Sequence, residues 1–254
     1  MENKKISPLK KDSLRYAGQS LDEKINDVLY DKILIPMIGI AFLILFTFFE
    51  WASVYFKYQY ALSVYITVTL GFIIYYSFKI KPAIKYIRDL QLGRDGERAV
   101  SESLEELRIS GYKVYNDFVC ESFNIDHIIV GPAGIFTIET KTYRKQVGTN
   151  PQISYDGLKI LVNGISYPKD PIRQAKGQMY WLEGFIKDNA KIAVKVKPVV
   201  IFPGWYVNPI NNTVEVWVLN EKALPAFLKN SPVLLNNEQI NLIASHIESY
   251  NRNA

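Results

Sequence analysis

The chain has 254 residues, 48% hydrophobic and 22% charged, enough for one globular domain of ordinary size plus a further element. Its single cysteine, Cys120, excludes an internal disulfide and any cysteine-built zinc site, and fits a reducing compartment. The net charge of +5 sits mainly at the N-terminal end: residues 1–92 hold 12 basic and 8 acidic side chains and residues 93–254 hold 18 and 17, so the pI near 9.0 does not mark a nucleic-acid face on the C-terminal part.

Residues 1–32 are polar and mixed in charge, with Lys4, Lys5, Lys10, Lys11 and Arg15 near the start. They read as a flexible or loosely helical N-terminal arm in which residues 22–30 can form a short amphipathic helix. Two uncharged runs follow, residues 33–49 and 60–78. Both lengths match the hydrocarbon core of a bilayer. Trp51, Tyr55, Tyr58 and Tyr60 between them, and Tyr75 and Tyr76 near the far end, sit where interfacial aromatic residues do. The polar stretch ahead of the first run, with no small-residue cleavage site after it, disfavours a cleaved signal peptide. The pair reads as a two-helix transmembrane hairpin in the cell membrane. Lys79, Lys81, Lys85 and Arg88 follow the second span, the arm is lysine-rich, and the loop between the spans carries only Lys57. The positive-inside rule then expects both termini, and everything beyond the spans, in the cytoplasm. Residues 79–92 read as a juxtamembrane linker.

Beyond it, Ala99, Val100, Leu104 and Leu107 recur at helical spacing, so residues 94–109 form an amphipathic helix that Gly111 ends. Residues 113–118 begin a strand. The stretch NIDHIIVGPAGIFTIETK, residues 124–141, is two β-branched runs joined by Gly131-Pro132-Ala133-Gly134, a hairpin pattern. With Val130 opposite Ile135, regular pairing puts Asp126 across from Glu139. Lys141 shares that face and Thr140 takes the other. Carboxylates paired with Cβ atoms about 5 Å apart repel unless one keeps its proton or a cation lies between them. An acidic pair with a lysine two residues on suits a divalent-metal hydrolase. His127 alternates to the opposite face and reads as a packing residue; His246, in the last helix, has no identifiable partner.

Residues 153–155, 158–162 and 165–167 read as short strands, punctuated by tight turns at Asp156-Gly157 and Asn163-Gly164. Asp170-Pro171 is an N-cap followed by proline in the first turn of a helix that runs to about residue 187. Residues 196–202 and 213–219 are strands, and residues 221–229 and 237–250 are helices. The fold class is α/β, with residues 93–254 as one domain.

Gly93-Arg94-Asp95-Gly96-Glu97, Asn116-Asp117, Ile125-Asp126-His127, Gly134-Ile135-Phe136, Glu139-Thr140-Lys141, and Asp170-Pro171 with Gln174 occur in that order. Together, over residues 93–178, they resemble the NERD (nuclease-related) domain, a family grouped with the restriction-endonuclease-like PD-(D/E)xK nucleases. The resemblance implies a restriction-endonuclease-like mixed β-sheet flanked by helices, here preceded by the two-helix transmembrane hairpin. It also implies Mg²⁺ or Mn²⁺ held by Asp126 and Glu139, with the backbone carbonyl of Thr140 as a third ligand. Lys141 would orient or activate the attacking water, Glu97 would face the site from the first helix, and Gln174 would lie near the metal or the phosphate. Two positions depart from the family pattern: Ile125 replaces the proline of the motif name, and Thr142 replaces a frequent asparagine. Neither removes a metal ligand. Tyr143, Arg144, Lys145 and Lys176 are assigned to a solvated face rather than to a phosphate backbone. The implied activity is phosphodiester hydrolysis in nucleic acid, DNA by family analogy, by a domain anchored to the lipid bilayer. The alternative is a non-catalytic module that keeps the fold to bind nucleic acid or a protein partner at the membrane. Oligomeric state is left open.

Overall fold

The computed structural model describes residues 14–55, 62–145, 152–167, 170–208 and 215–253. Lys4, Lys5, Lys10 and Lys11, the connecting loop with Lys57, Tyr58 and Tyr60, and the expected start of a strand at Thr213 lie outside the described residues. The chain divides into two units, Ser20–Leu92 and a second formed by Met1–Gln19 together with Gly93–Ala254.

In Ser20–Leu92, α1 (Gln19–Leu29) passes through a π-helical turn, Tyr30–Leu34, into α2 (Ile35–Tyr55). α3 spans Leu62–Ile109. Ile25 and Val28 of α1 are buried against Ala83 and Ile87 of α3, and the Thr47 and Thr69 hydroxyls hydrogen-bond across α2 and α3 at 2.9 Å. Two helices, Gln19–Ser53 and Ser63–Ile109, are long and apolar enough to cross a membrane, and only 6% of the most apolar window of each is buried. Phe42, Phe46, Phe49, Ile74 and Phe78 are among the exposed side chains. Two expectations are corrected here. Residues 79–92 are helical rather than an irregular connection, and the helix carrying Glu97 does not begin at Arg94: both belong to α3, which runs through Pro82. Ala83, Ile87 and Leu90 repeat at helical spacing, and their burial under α1 offsets the hydrogen bond that Pro82 removes.

In the second unit, a mixed sheet has the order β1 (Lys113–Val119), β2 (Asn124–Gly131), β3 (Gly134–Thr140), β7 (Val196–Ile201) and β9 (Trp217–Leu219). The first three strands are antiparallel; β3–β7 and β7–β9 are parallel. A parallel step requires a crossover, and it is supplied by β4 (Gln152–Tyr155), β5 (Ile160–Val162), β6 (Ile165–Ser166) and α4 (Pro171–Ala190). β4 to β6 join β8 (Tyr206–Asn208) in a second sheet of order β6-β5-β4-β8. On one face of the large sheet, Ile128, Val130 and Ile135 pack against Met179, Leu182 and Ile186 of α4 and Ile240, Ile243 and Ile247 of α6 (Asn237–Asn253). On the other, Ile129, Phe136 and Ile138 meet Val100, Leu104 and Leu107 of α3 and Leu224 and Leu228 of α5 (Leu224–Lys229). Each fully buried Ile or Leu here contributes on the order of 1.5–3 kcal/mol. The arrangement is a mixed sheet flanked by helices.

The β2–β3 register is set by its two-residue turn. Gly131 pairs with Gly134, whose φ of 116° only glycine takes readily, and Val130 pairs with Ile135. Regular pairing continues to His127 opposite Ile138, with no bulge. The alternation breaks instead between β1 and β2. Asp117 adopts a left-handed φ of 47°, no pairing of Asp117 with Asp126 forms, and Tyr115, Phe118, Ile125 and Ile128 all enter the same core.

The described start of the chain departs from the expected flexible arm. Leu14 packs on the α4/α6 core, and Ala17 is buried. β8 was not expected, and the second half of the strand at 213–219 is shorter than expected, starting at Trp217.

Candidate active site

Asp126, near the start of β2, and Glu139, near the end of β3, are brought together by the hairpin register. The Thr140 amide donates to Asp126 Oδ2 at 2.6 Å, which fixes the carboxylate against the β3 backbone. Immediately after β3, the Lys141 amide donates to the Ile201 carbonyl of β7 at 2.8 Å, so the chain keeps sheet-like placement through the lysine. The Lys141 ammonium donates to Glu139 Oε1 and, at 3.0 Å, to Gln174 Oε1 on α4. α4 presents this face because Asp170 caps it, its side chain accepting from the Arg173 amide at 2.9 Å, with Pro171 in the first turn.

One residue of this site was not singled out in the sequence. Gln178, one helical turn after Gln174 and 2% exposed, donates Nε2 to Glu139 Oε2 at 2.5 Å and to the Asn124 carbonyl at 3.2 Å. The i, i+4 spacing from Gln174 was the signal that could have found it.

Glu97, buried on α3, completes the acidic group. Burial, then the charges of Asp117 and Glu139, push its carboxyl up to about 8, against smaller opposing effects of the Gly18 backbone and Lys141. Burial first, then Glu139 and Glu97, raise Asp126 well above the ordinary carboxylate range. For Lys141, burial acts to release the proton, but the Glu139 and Asp126 carboxylates outweigh it and the net shift is upward. Lys141 is therefore held as a cation, suited to stabilising developing negative charge rather than to abstracting a proton.

Behind the acidic group, the buried Asp117 accepts from Arg15 Nε at 2.7 Å and from Asn124 Nδ2 at 3.3 Å. His127 is fully buried on the opposite side of the sheet, its Nδ1 2.9 Å from Asn116 Oδ1, and burial pushes its pKa down to about 3. It is a neutral packing residue. Tyr143, Arg144 and Lys145 are exposed, and Lys176 pairs with Glu215 at 2.6 Å.

The clustered carboxyls of Glu97, Asp126 and Glu139, the first two held above their ordinary range, are the donor chemistry that a hard divalent cation takes. Gln178 Oε1, beside Glu139, is a buried acceptor with no hydrogen-bond partner among the described residues. Among those residues no three Asp, Glu, His or Cys side chains converge closely enough to enclose an ion by themselves. The oxygen donors fit a cation bound by two carboxylates and completed by other oxygens.

No curated protein matches the chain. The solved structure of SfsA from Pyrococcus furiosus in complex with Ca²⁺ matches with a TM-score of 0.23 and 13% identity, over 61% of this chain and 53% of that one. The chain thus spans about half the length of that protein. The family model of the nuclease-related domain, NERD, matches residues 92–203, the stretch that holds Glu97, Asp117, Asp126, Glu139, Lys141, Gln174 and Gln178.

Proposed function

We propose that the protein is a membrane-anchored, Mg²⁺-dependent nuclease that hydrolyses phosphodiester bonds, DNA by family analogy, on the cytoplasmic side. The observation that carries this reading is the convergence of Glu97, Asp126, Glu139 and Lys141 inside the stretch matched by the nuclease-related family model. Asp126 and Glu139, with the Thr140 carbonyl, would hold the ion, which when bound lowers the pKa of a water and neutralises phosphate charge. The protein's own groups do the rest. Gln178 fixes the Glu139 carboxylate. Lys141, positioned by Gln174, places a permanent charge beside the reacting phosphate. Glu97 supplies a carboxyl that holds a proton near neutral pH.

Anchoring is supported by the two apolar, exposed helices of Ser20–Leu92. It is also supported by the ends of that segment. Gly18 lies against Arg94, where an added Cβ would meet Arg94 Cγ at 2.8 Å, so the chain leaves and rejoins the same unit at neighbouring points. Membrane crossings between those points must be even in number, as a two-span hairpin requires. The flanking lysines favour the cytoplasm for both ends.

A second reading, a non-catalytic binding module, is favoured by one observation: both Glu139 oxygens are already engaged, by Lys141 and Gln178. The full chain in detergent, incubated with plasmid, linear duplex and single strands in Mg²⁺, Mn²⁺ or chelator, separates the two. Cleavage in either metal that is lost in Asp126→Ala, Glu139→Ala and chelator supports hydrolysis. Cleavage that survives those substitutions removes the catalytic assignment, and binding without cleavage or metal uptake supports the module.

A further inference from the structure

A cleft of about 400 Å³ opens directly beside the Lys141–Glu139 pair, lined by Phe123, Asp170, Arg173, Gln174, Gly177 and Gln178. Gln174 and Gln178 belong to both features: one wall of the cleft is made by the same two residues that hold Lys141 and Glu139. The volume lies in the range of small-ligand pockets. Its chemistry is mixed in a specific way. Phe123 is a half-buried ring at the margin of the α4/α6 core, braced edge-on by Trp181 of α4 at 5.9 Å and 86°. Arg173 is exposed at the N-terminal turn of α4, and its guanidinium has no ion-pair partner among the described residues. Gly177, between Arg173 and Trp181 on the helix, has open space where a Cβ would stand, so the floor of the cleft is flat.

We infer that this cleft receives one unstacked nucleobase of a single-stranded nucleic acid, with Phe123 as its stacking platform and Arg173 on the adjoining phosphate. The inference rests on the nuclease reading of the neighbouring carboxylates and names the substrate class for it. An aromatic face, a guanidinium and the exposed Gln174 carboxamide within one cleft are the groups that bind a base with its phosphodiester. A base inside a duplex is stacked on both sides and cannot enter, whereas a single strand, a flap or a frayed end can. Charge points the same way. Duplex binding relies on neutralising many phosphates, but residues 93–254 hold 18 basic against 17 acidic side chains and offer little surplus for a backbone track. Stacking of one base is the contact that a near-neutral surface can still make.

The test uses the full chain in detergent, with chelator present to prevent cleavage. Binding is read by fluorescence anisotropy of a labelled oligonucleotide, and stacking by 2-aminopurine emission at successive positions. DNA and RNA strands of one sequence are compared with the matching blunt duplex. The expected result is single-strand binding at least tenfold tighter than duplex binding, with one 2-aminopurine position strongly quenched. Phe123→Ala and the cleft-filling Gly177→Leu should each weaken single-strand binding by about tenfold and abolish that quenching, while Phe123→Tyr retains both. An abasic nucleotide at the quenched position should reproduce the Phe123→Ala loss without adding to it. Equal affinity for duplex, or full affinity in both Phe123→Ala and Gly177→Leu, overturns the inference. Selective binding of single strands with no cleavage in Mg²⁺ or Mn²⁺ would remove the hydrolytic reading and leave this one standing. Cleavage of duplex and single strand alike, insensitive to Phe123 and Gly177, would do the reverse.

Discussion

Replacing Glu97 by Gln keeps the side chain's shape and removes its ionisation. The wild-type carboxyl moves from an ordinary 4.5 to about 8 on folding, because burial and two neighbouring carboxylates oppose its charge. A raised acid binds more protons folded than unfolded. Its contribution to stability is therefore complete below 4.5 and is lost as pH rises through 8. At about 1.4 kcal/mol per unit, the wild type should lose about 3 kcal/mol from this group between pH 5 and pH 8. That is a sizeable share of a typical domain's stability. Glu97→Gln should lack this loss, and Asp126, freed of one of the charges that raise it, should add less to the remaining slope. Urea unfolding of the full chain in detergent, followed by tryptophan fluorescence, reads the effect, since Trp181, Trp205 and Trp217 all lie in the unit that contains the site. Titrations that Glu97 does not influence cancel in the difference. Parallel pH profiles for the two proteins, or a steeper fall in the variant, would refute the argument that the acidic group is buried and uncompensated.

Arg15→Ala removes an ion-pair partner of Asp117, whose side chain is 3% exposed, and should destabilise the fold by about 2–4 kcal/mol in the same unfolding assay. A change under about 0.5 kcal/mol would mean that residues 14–19 do not hold this position in solution. Gly96→Ala would place a Cβ 1.9 Å from Thr142 Cγ2 and should cost about 1–3 kcal/mol. Thr142→Ser, which deletes that methyl, should recover most of the loss in a double-mutant cycle; additivity of the two would show that α3 and the end of β3 do not pack at this point.

The hairpin and its register could be read in advance because two local rules agree there. The alternation of β2 and β3 admits one buried face, and a two-residue Gly-Pro-Ala-Gly turn leaves one way to align them. Asp170-Pro171 announced the start of α4 for an equally local reason. What escaped was tertiary. Gln178 shares a helix face with Gln174, but only its depth under the sheet edge makes it a partner of Glu139. Arg15 sits 102 positions from Asp117, and no sequence period connects them. The continuity of α3 was hidden by Pro82, a breaker whose effect depends on what packs around it. β8, three residues long and paired to β4 in parallel, is too short to display any periodicity. The slip of alternation at Asp117 likewise follows from a backbone angle that aspartate tolerates but does not advertise.

The docking of residues 14–19 onto the unit that resumes at Gly93 has a consequence for biosynthesis. The domain is discontinuous, and the two apolar helices are an insertion within it rather than an appendage ahead of it. Its first strip leaves the ribosome before the apolar helices and must wait for Asp117, and later for α4 and α6, before it has anything to dock on. A truncated protein beginning after the second apolar helix would lack that strip and leave Asp117 without Arg15, so a soluble version is better made by joining residue 19 to residue 93 through a short linker than by deleting everything upstream.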